Sequence, residues 1–416
     1  MHMAKEAHWP LRLANAFTVE DDCLSIGGAS LTRLALQSGT TPFYVYSRER
    51  IDEQISLLRR CIPADVNLHY SVKANPFPSL VHHAARLVDG FDVASANELV
   101  LALGTGISAR NVSFTGPGKR DDELLRAIAA GVLVNVESPG ELRRIHALAV
   151  FHGIRARIAL RINPPHALRG SGMRMGGGAR QFGSDLTLIP AMLARIAQWA
   201  ADLEFEGFQI YHGTQNLDAE LLIEAFRRSI ELILGTAVHA PRTVRVVNLG
   251  GGFGVPYFEG DPELDIDRVG EALQAMGRQV RGALPEARII LELGRYIVAG
   301  AGLYVTRIVD RKVSHGTTYL VVDGGMHHHL AASGNLGQMV RRNYPVVVGN
   351  RVSRGPREIV SVVGPLCTPL DILLQAGELS AADVGDLIVV LQSGAYGLTA
   401  SPTGFLSRPP AAEMLV

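Results

Sequence analysis

No stretch of this chain approaches the roughly 20 consecutive apolar residues that a membrane-crossing helix needs, although 47% of its 416 residues are hydrophobic. The apolar runs are short and broken by charge. An excess of one charge is also missing: Lys+Arg and Asp+Glu number 40 each, and the charged fraction is 19%. Such a balance offers no field to hold nucleic acid or an anionic membrane. Three scattered cysteines, Cys23, Cys61 and Cys367, form no CxxC pair and no disulfide framework. The opening Met1-His2-Met3-Ala4-Lys5-Glu6 lacks the charged-then-apolar layout of a secretory leader, so a cytoplasmic enzyme is the expectation. Internal repeats and low-complexity linkers are absent as well.

What is present is an alternation. A chain of this length calls for two domains. Apolar, β-rich segments fall at 67–74, 90–95, 111–115, 132–136, 156–162, 205–211, 244–249 and 288–293. Between them lie stretches of helical period, among them 121–130, 138–152, 186–201, 218–234 and 267–283. A further helix is expected from an N-cap at Ser47 through Arg59, with Ile51, Ile55 and Leu58 on its apolar stripe.

Eight strands alternating with helices predict a (β/α)8 TIM barrel, and a doubly wound sheet is the alternative. Polar and glycine-rich residues at the ends of many strands favour the barrel, because a doubly wound sheet gathers its site at one crevice. Pieces before residue 40, such as Leu11-Arg12-Leu13 and Leu24 to Gly28, read as strands. After Arg295 the helical period stops. Residues 296–298, 302–310, 318–323, 357–363 and 387–391 read as strands between Gly, Pro and Asp turns. The expected division is therefore 1–40, strands contributed to a β domain; 41–295, the barrel; and 296–416, a β-rich carboxyl-terminal domain.

Three features at the strand ends describe one ligand. Lys73 closes the first strand, where a pocket-mouth amine can form a Schiff base with a carbonyl cofactor. Gly250-Gly251-Gly252 follows the seventh strand, in the place where this barrel gathers phosphates. Glu292 and Arg295 end the eighth strand, offering an acid for a ring nitrogen and a fork for an anion. The cofactor with these needs is pyridoxal 5'-phosphate.

Over residues 40 to 410 the chain resembles the fold-type III pyridoxal-phosphate decarboxylases, the group of the diaminopimelate, ornithine and arginine decarboxylases. The matching motifs are Tyr70 to Asn75, Phe91 to Ser95 with Glu98, Leu160 to Asn163, Gly250 to Gly252, Val322 to Met326, Gly364 to Cys367 and Gly394 to Tyr396. The resemblance implies that Lys73, Asp92, Arg161, Tyr211, Thr214, Gly250, Gly251, Gly252, Glu292, Arg295 and Tyr396 surround the cofactor. It implies catalysis by Lys73, Glu292 and Cys367, the cysteine entering from a partner subunit, and hence a homodimer with shared sites. His212, His327, Thr368 and Asp371 fall toward the substrate.

Departures from the family pattern narrow the substrate. The histidine that stacks on the cofactor in the family aligns with Tyr211, whose ring supplies the same surface, while His212 one residue later is the alternative. Thr368 stands where enzymes acting on a distal amine carry an acid, and a neutral threonine leaves a buried ammonium unpaired. His327-His328-His329-Leu330 replaces the family's Arg-Pro-x-x-Tyr run. No metal is expected there, because adjacent residues point in different directions. Residues 332–338 and 341–345 resemble a biosynthetic-cluster branch that includes the butirosin-pathway decarboxylase acting on a glutamyl carrier protein and exosortase-associated decarboxylases. Arg341 and Arg342 read as a solvated basic pair, with contact to an acyl carrier protein as the alternative.

The expected activity is removal of an amino acid's α-carboxylate, the substrate being carrier-linked and glutamyl in type. Alternatives are decarboxylation of free diaminopimelate, amino-acid racemisation, and a non-catalytic cofactor-binding paralogue. Glu292 opposes the racemase, since racemases of this fold place arginine opposite the ring nitrogen.

Overall fold

The computed structural model describes residues 9–14, 16–165, 173–174, 176–338 and 340–416. The chain divides into two compact units. One comprises Glu53–Val255 and Pro262–Ile297; the other comprises the chain up to Asp52, Pro256–Asp261 and Val298–Val416.

The first unit is the barrel. Its strands are Val66–Ser71, Gly90–Val93, Val112–Phe114, Leu133–Val136, Ala156–Asn163, Leu203–Gln209, Val246–Asn248 and Arg288–Leu293. All pair in parallel in chain order, and the eighth pairs with the first, Leu291 opposite Leu68, which closes the sheet on itself. A doubly wound sheet is excluded by that closure. Buried apolar side chains on both faces of the strands explain the near-continuous hydrophobic runs.

The intervening helices start where their caps lie. Ser95, Ser138 and Asp218 accept backbone N–H bonds within the first turns of Ala96–Gly104, Pro139–His152 and Ala219–Ala237. Asp121, Asp122 and Glu123 occupy the positive end of Asp121–Ala130, and Gly131 ends that helix in a left-handed conformation. One glycine is fixed by packing rather than by turn geometry: a Cβ on Gly90 would meet the His69 ring and the Asn111 carbonyl.

The second unit is β-rich. An eight-stranded sheet contains Gly302–Ser314, Thr317–Val322, Val346–Val348, Arg357–Val363, Ile372–Ser380 and Leu387–Val390, joined by Phe43–Tyr46 and Ala412–Leu415. Phe43–Tyr46 pairs antiparallel with Gly302–Ser314 and parallel with Ala412–Leu415. The unit boundary therefore lies after Asp52 and not at residue 41, because this strand belongs to the β sheet. Thr18–Glu20, Cys23–Ile26 and Ala29–Ser30 form a separate small antiparallel sheet.

Three local expectations are corrected. Leu11-Arg12-Leu13 lies in the helix Trp9–Ala14, not in a strand. Leu31–Ser38 is also helical, capped by Ser30 and ended by Gly39, with Leu31, Leu34 and Ala35 buried on one stripe. Residues 296–298 finish the short helix Arg295–Val298.

Candidate active site

Lys73 sits in a 3-10 turn, Val72–Ala74, directly after the first barrel strand. Its Nζ lies 3.2 Å from Asp92 Oδ2, and its side chain is 42% exposed while that of Asp92 is fully covered. An amine half open to solvent over a buried carboxylate is placed to react without losing its counter-ion. Asp92 is held in turn by Thr115 Oγ1, which donates at 2.8 Å, and by Ser71 Oγ at 3.4 Å. Nearby, Glu98 accepts the Ala94 N–H at 2.7 Å, and burial raises its carboxyl above the usual range.

Glu292, on the eighth strand, is buried, and among the described residues its carboxylate accepts from side-chain amides. Gln209 Nε2 donates to both of its oxygens at 2.9 Å, and Asn248 Nδ2 donates to Oε1 at 2.6 Å. Burial and, second, the Asp92 charge push this carboxyl up to about 7, against the pull of Lys73, Asn248 and Arg161. Arg161 Nη1 pairs with Glu137 Oε1 at 2.9 Å in the interior. Glu137 also accepts the N–H groups of Gly116 and Gly183, so this ion pair fixes two loops. Behind it, Lys119 is buried against Glu141 at 2.7 Å.

The glycine run is demanded by its surroundings. Gly250 and Gly252 hold φ of 65° and 100°, a region costly to other residues. A Cβ on Gly250 would strike the Tyr211 ring, on Gly251 the Glu292 carbonyl and on Gly252 the Gly213 carbonyl. Tyr211 thus lies over the glycine run and is half-buried. His212 turns the other way. Its Nε2 is 2.7 Å from Ser229 Oγ on the helix Ala219–Ala237, and burial lowers its imidazole to about 4. That contact makes His212 a core residue and corrects its expected substrate role. Thr214 is in the two-residue strand Gly213–Thr214, and Arg295 opens the helix after the eighth strand.

In the β unit, Cys367 is exposed in the turn 364–371, with half-buried Thr368 beside it. Asp371 is engaged by main chain. It is 2% exposed and accepts the backbone N–H groups of Met326 at 2.6 Å and Leu366 at 2.9 Å, so it pins the turn to the 323–326 loop. A Cβ on Gly325 or Gly364 would collide with that carboxylate. Tyr396 is half-buried with φ 53°.

The histidine run is internal. His328 Nε2 lies 2.9 Å from the Pro409 carbonyl and His329 Nε2 lies 3.0 Å from Ser393 Oγ. His327, also buried, has no hydrogen-bond partner on either ring nitrogen among the described residues. Arg341 is not part of a solvated pair, since it donates to the Ser333 and Ile372 carbonyls, both at 2.7 Å. Arg342 lies over the Phe258 ring at 3.8 Å and pairs with Asp261 at 3.2 Å.

The residues in the barrel fit pyridoxal phosphate. They include an accessible amine, a buried acid that accepts from two amides, and a glycine run shaped by close backbone approach. Sequence reading missed Thr115, Gln209, Glu137 and Asn135, whose Nδ2 donates to Thr115 Oγ1 at 2.8 Å, and it used Asn248 only to open the glycine run. The available signal was a polar residue at or just past the end of short apolar strands, as in Leu133–Val136 and Val246–Asn248.

The family "Pyridoxal-dependent decarboxylase, pyridoxal binding domain" matches residues 48–299. The chain is 39% identical to the L-glutamyl-[BtrI acyl-carrier protein] decarboxylase of Niallia circulans, over 90% of this chain and 88% of the relative. It is 31% identical to the diaminopimelate decarboxylase of Aquifex aeolicus, over 95% and 91%. The structure of the Helicobacter pylori diaminopimelate decarboxylase complexed with L-lysine is similar with a TM-score of 0.82 at 27% identity, covering 92% of this chain and 94% of that one. Together with the closed barrel and the site around Lys73, these matches mean that the chain belongs to the pyridoxal-dependent decarboxylases.

Proposed function

We propose that the enzyme removes the α-carboxylate of a glutamyl-type amino acid carried on an acyl carrier protein, as a homodimer in which each site borrows Cys367 from the partner subunit. Lys73 attaches the cofactor, with Asp92 as its counter-ion. Glu292 would pair with the ring nitrogen, while Gly250, Gly251, Gly252 and Arg295 would hold the phosphate. Asp92, Arg161, Tyr211 and Thr214 complete the surround, Tyr211 by stacking. When bound, the cofactor supplies a sink for the electron pair left on Cα as carbon dioxide departs. Cys367 then gives its thiol proton to Cα, and its exposure in the 364–371 turn supports delivery from one subunit to another.

Thr368 carries the substrate reading. A free amino acid with a distal ammonium needs an acid beside Cys367, whereas a glutamyl group whose far carboxyl is joined to the carrier has no such ammonium and does not. The 39% identity to a glutamyl carrier-protein decarboxylase supports the same reading. Free diaminopimelate is the second reading, supported by the 31% identity to an enzyme of that name.

A carbon dioxide release panel separates them. Glutamyl carrier protein should exceed free glutamate, lysine, ornithine and diaminopimelate by about 10²-fold or more in kcat/KM; strong turnover of free diaminopimelate overturns the carrier reading. Mixing inactive Lys73→Ala and Cys367→Ala dimers should restore about a quarter of wild-type activity, because half the dimers formed are mixed and each has one intact site. No recovery would sink the shared site.

A further inference from the structure

The buried polar groups of the barrel include one that touches both ends of the cofactor site. Asn248, the last residue of the seventh strand, is fully covered. Its Nδ2 donates to Glu292 Oε1 at 2.6 Å, and its Oδ1 accepts the Gly250 N–H at 2.9 Å. One rigid amide therefore spans from the acid to the first glycine of the run. Gln209 offers a control on the same carboxylate: it donates to both Glu292 oxygens and has no bond to the glycine run.

We propose that Asn248 is a positioning residue that couples the ring-nitrogen acid to the phosphate cradle, so that the acid is aligned only when the glycine run is in place. The proposal rests on the assignment of Glu292 to the ring nitrogen and of Gly250 to Gly252 to the phosphate. Both amides present N–H groups to Glu292 and no acceptor. They favour its ionised form and leave the cofactor nitrogen as the place for the shared proton. The Glu292 N–H also meets the Gly250 carbonyl at 2.7 Å, but of the two amides Asn248 is the one that ties the carboxylate itself to the loop. A short bond to a charged carboxylate in a covered site is among the stronger hydrogen bonds a protein makes.

The test compares the affinity of the apoenzyme for pyridoxal phosphate with that for pyridoxal, which lacks the phosphate. Asn248→Ala should weaken pyridoxal phosphate binding about tenfold or more and shrink the preference for the phosphorylated form. Gln209→Leu should weaken both ligands equally and leave the preference intact. Retention of the wild-type preference in Asn248→Ala overturns the coupling. Should that variant fail to fold, Asn248→Asp keeps the acceptor for Gly250 and sets a second carboxylate against Glu292. The pH midpoint of the bound cofactor's absorbance should then rise by about one unit, with the phosphate preference kept. An unmoved midpoint, or a lost phosphate preference although the Gly250 acceptor is kept, overturns the proposal. Failure of the underlying assignment looks different: wild-type apoenzyme would bind the two ligands alike, or Glu292→Gln would leave the midpoint where it was.

Discussion

Glu292 in the barrel and Asp371 in the β unit are both buried carboxylates that burial drives above their usual range, yet they do opposite things. Asp371 accepts backbone N–H groups from two loops, Met326 and Leu366, with Gly325 and Gly364 packed too close for any side chain. It holds main chain in place. Glu292 accepts from the side chains of Gln209 and Asn248 and stands within the fields of Asp92, Lys73 and Arg161. Its charge state can change without removing a backbone partner from a loop. Backbone donors mark a carboxylate that builds, and side-chain donors among other charges mark one that works.

The largest effects should fall where the barrel charges meet. Lys73→Ala should reduce decarboxylation by a factor on the order of 10⁴ and abolish covalent cofactor capture, read by single-turnover kinetics and mass spectrometry. Glu292→Gln should cost roughly 10²-fold or more in kcat and, unlike a structural change, should alter how stability depends on pH. In the wild-type apoprotein the folded acid holds its proton to about 7, whereas the unfolded chain releases it near 4.5. The folded state binds more protons between those values, so this group makes stability fall as pH rises through that window. Urea midpoints of Glu292→Gln should lose that contribution.

Asp371→Ala should do the reverse. It should lower unfolding free energy by about 3 kcal/mol, through two orphaned backbone donors, and leave the absorbance of the barrel-bound cofactor unchanged. A stable Asp371→Ala protein with altered cofactor absorbance would erase the contrast between the two acids.

A last contrast is summed over histidines. His69, His212 and His327 are lowered to about 4 and His329 to about 3, each first by burial. They stay neutral in the fold and charge in the unfolded chain below about 6.5. Their contribution is therefore present above 6.5 and lost as pH falls toward 4, opposite in sign to that of Glu292. Chemical denaturation of the apoprotein at pH 5 and pH 7 should show lower stability at pH 5. Equal stability would mean that these rings are not neutral in the fold.

Much of this was legible in the chain. The eight strands announced themselves because both faces are buried, and the helices because Ser95, Ser138 and Asp218 cap them. The short helices were hidden. Trp9–Ala14 and Arg295–Val298 are too brief to display a 3.6-residue period, and Leu11-Arg12-Leu13 mimics a strand's alternation. Leu31–Ser38 did carry a cap at Ser30 and an apolar stripe, which strand-like neighbours obscured. In the site, Lys73, the glycine run and Glu292 stand out by residue type. The direction of His212 does not, because a one-residue step at a strand end sends neighbouring side chains to opposite sides, and only its bond to Ser229 reveals which side it took. The bonding of Asp371 was hidden for a similar reason, since one of its two backbone partners, Met326, lies in a loop distant in sequence.

The central claim is that Lys73 carries the cofactor, and this chain makes the test unusually clean. Its lysines are Lys5, Lys73, Lys119 and Lys312, and Lys119 is buried against Glu141. Borohydride reduction of the pyridoxal-phosphate-loaded enzyme, followed by digestion and mass spectrometry, should place the cofactor's added mass on the peptide containing Lys73. Added mass on another lysine, or on none, would contradict the account.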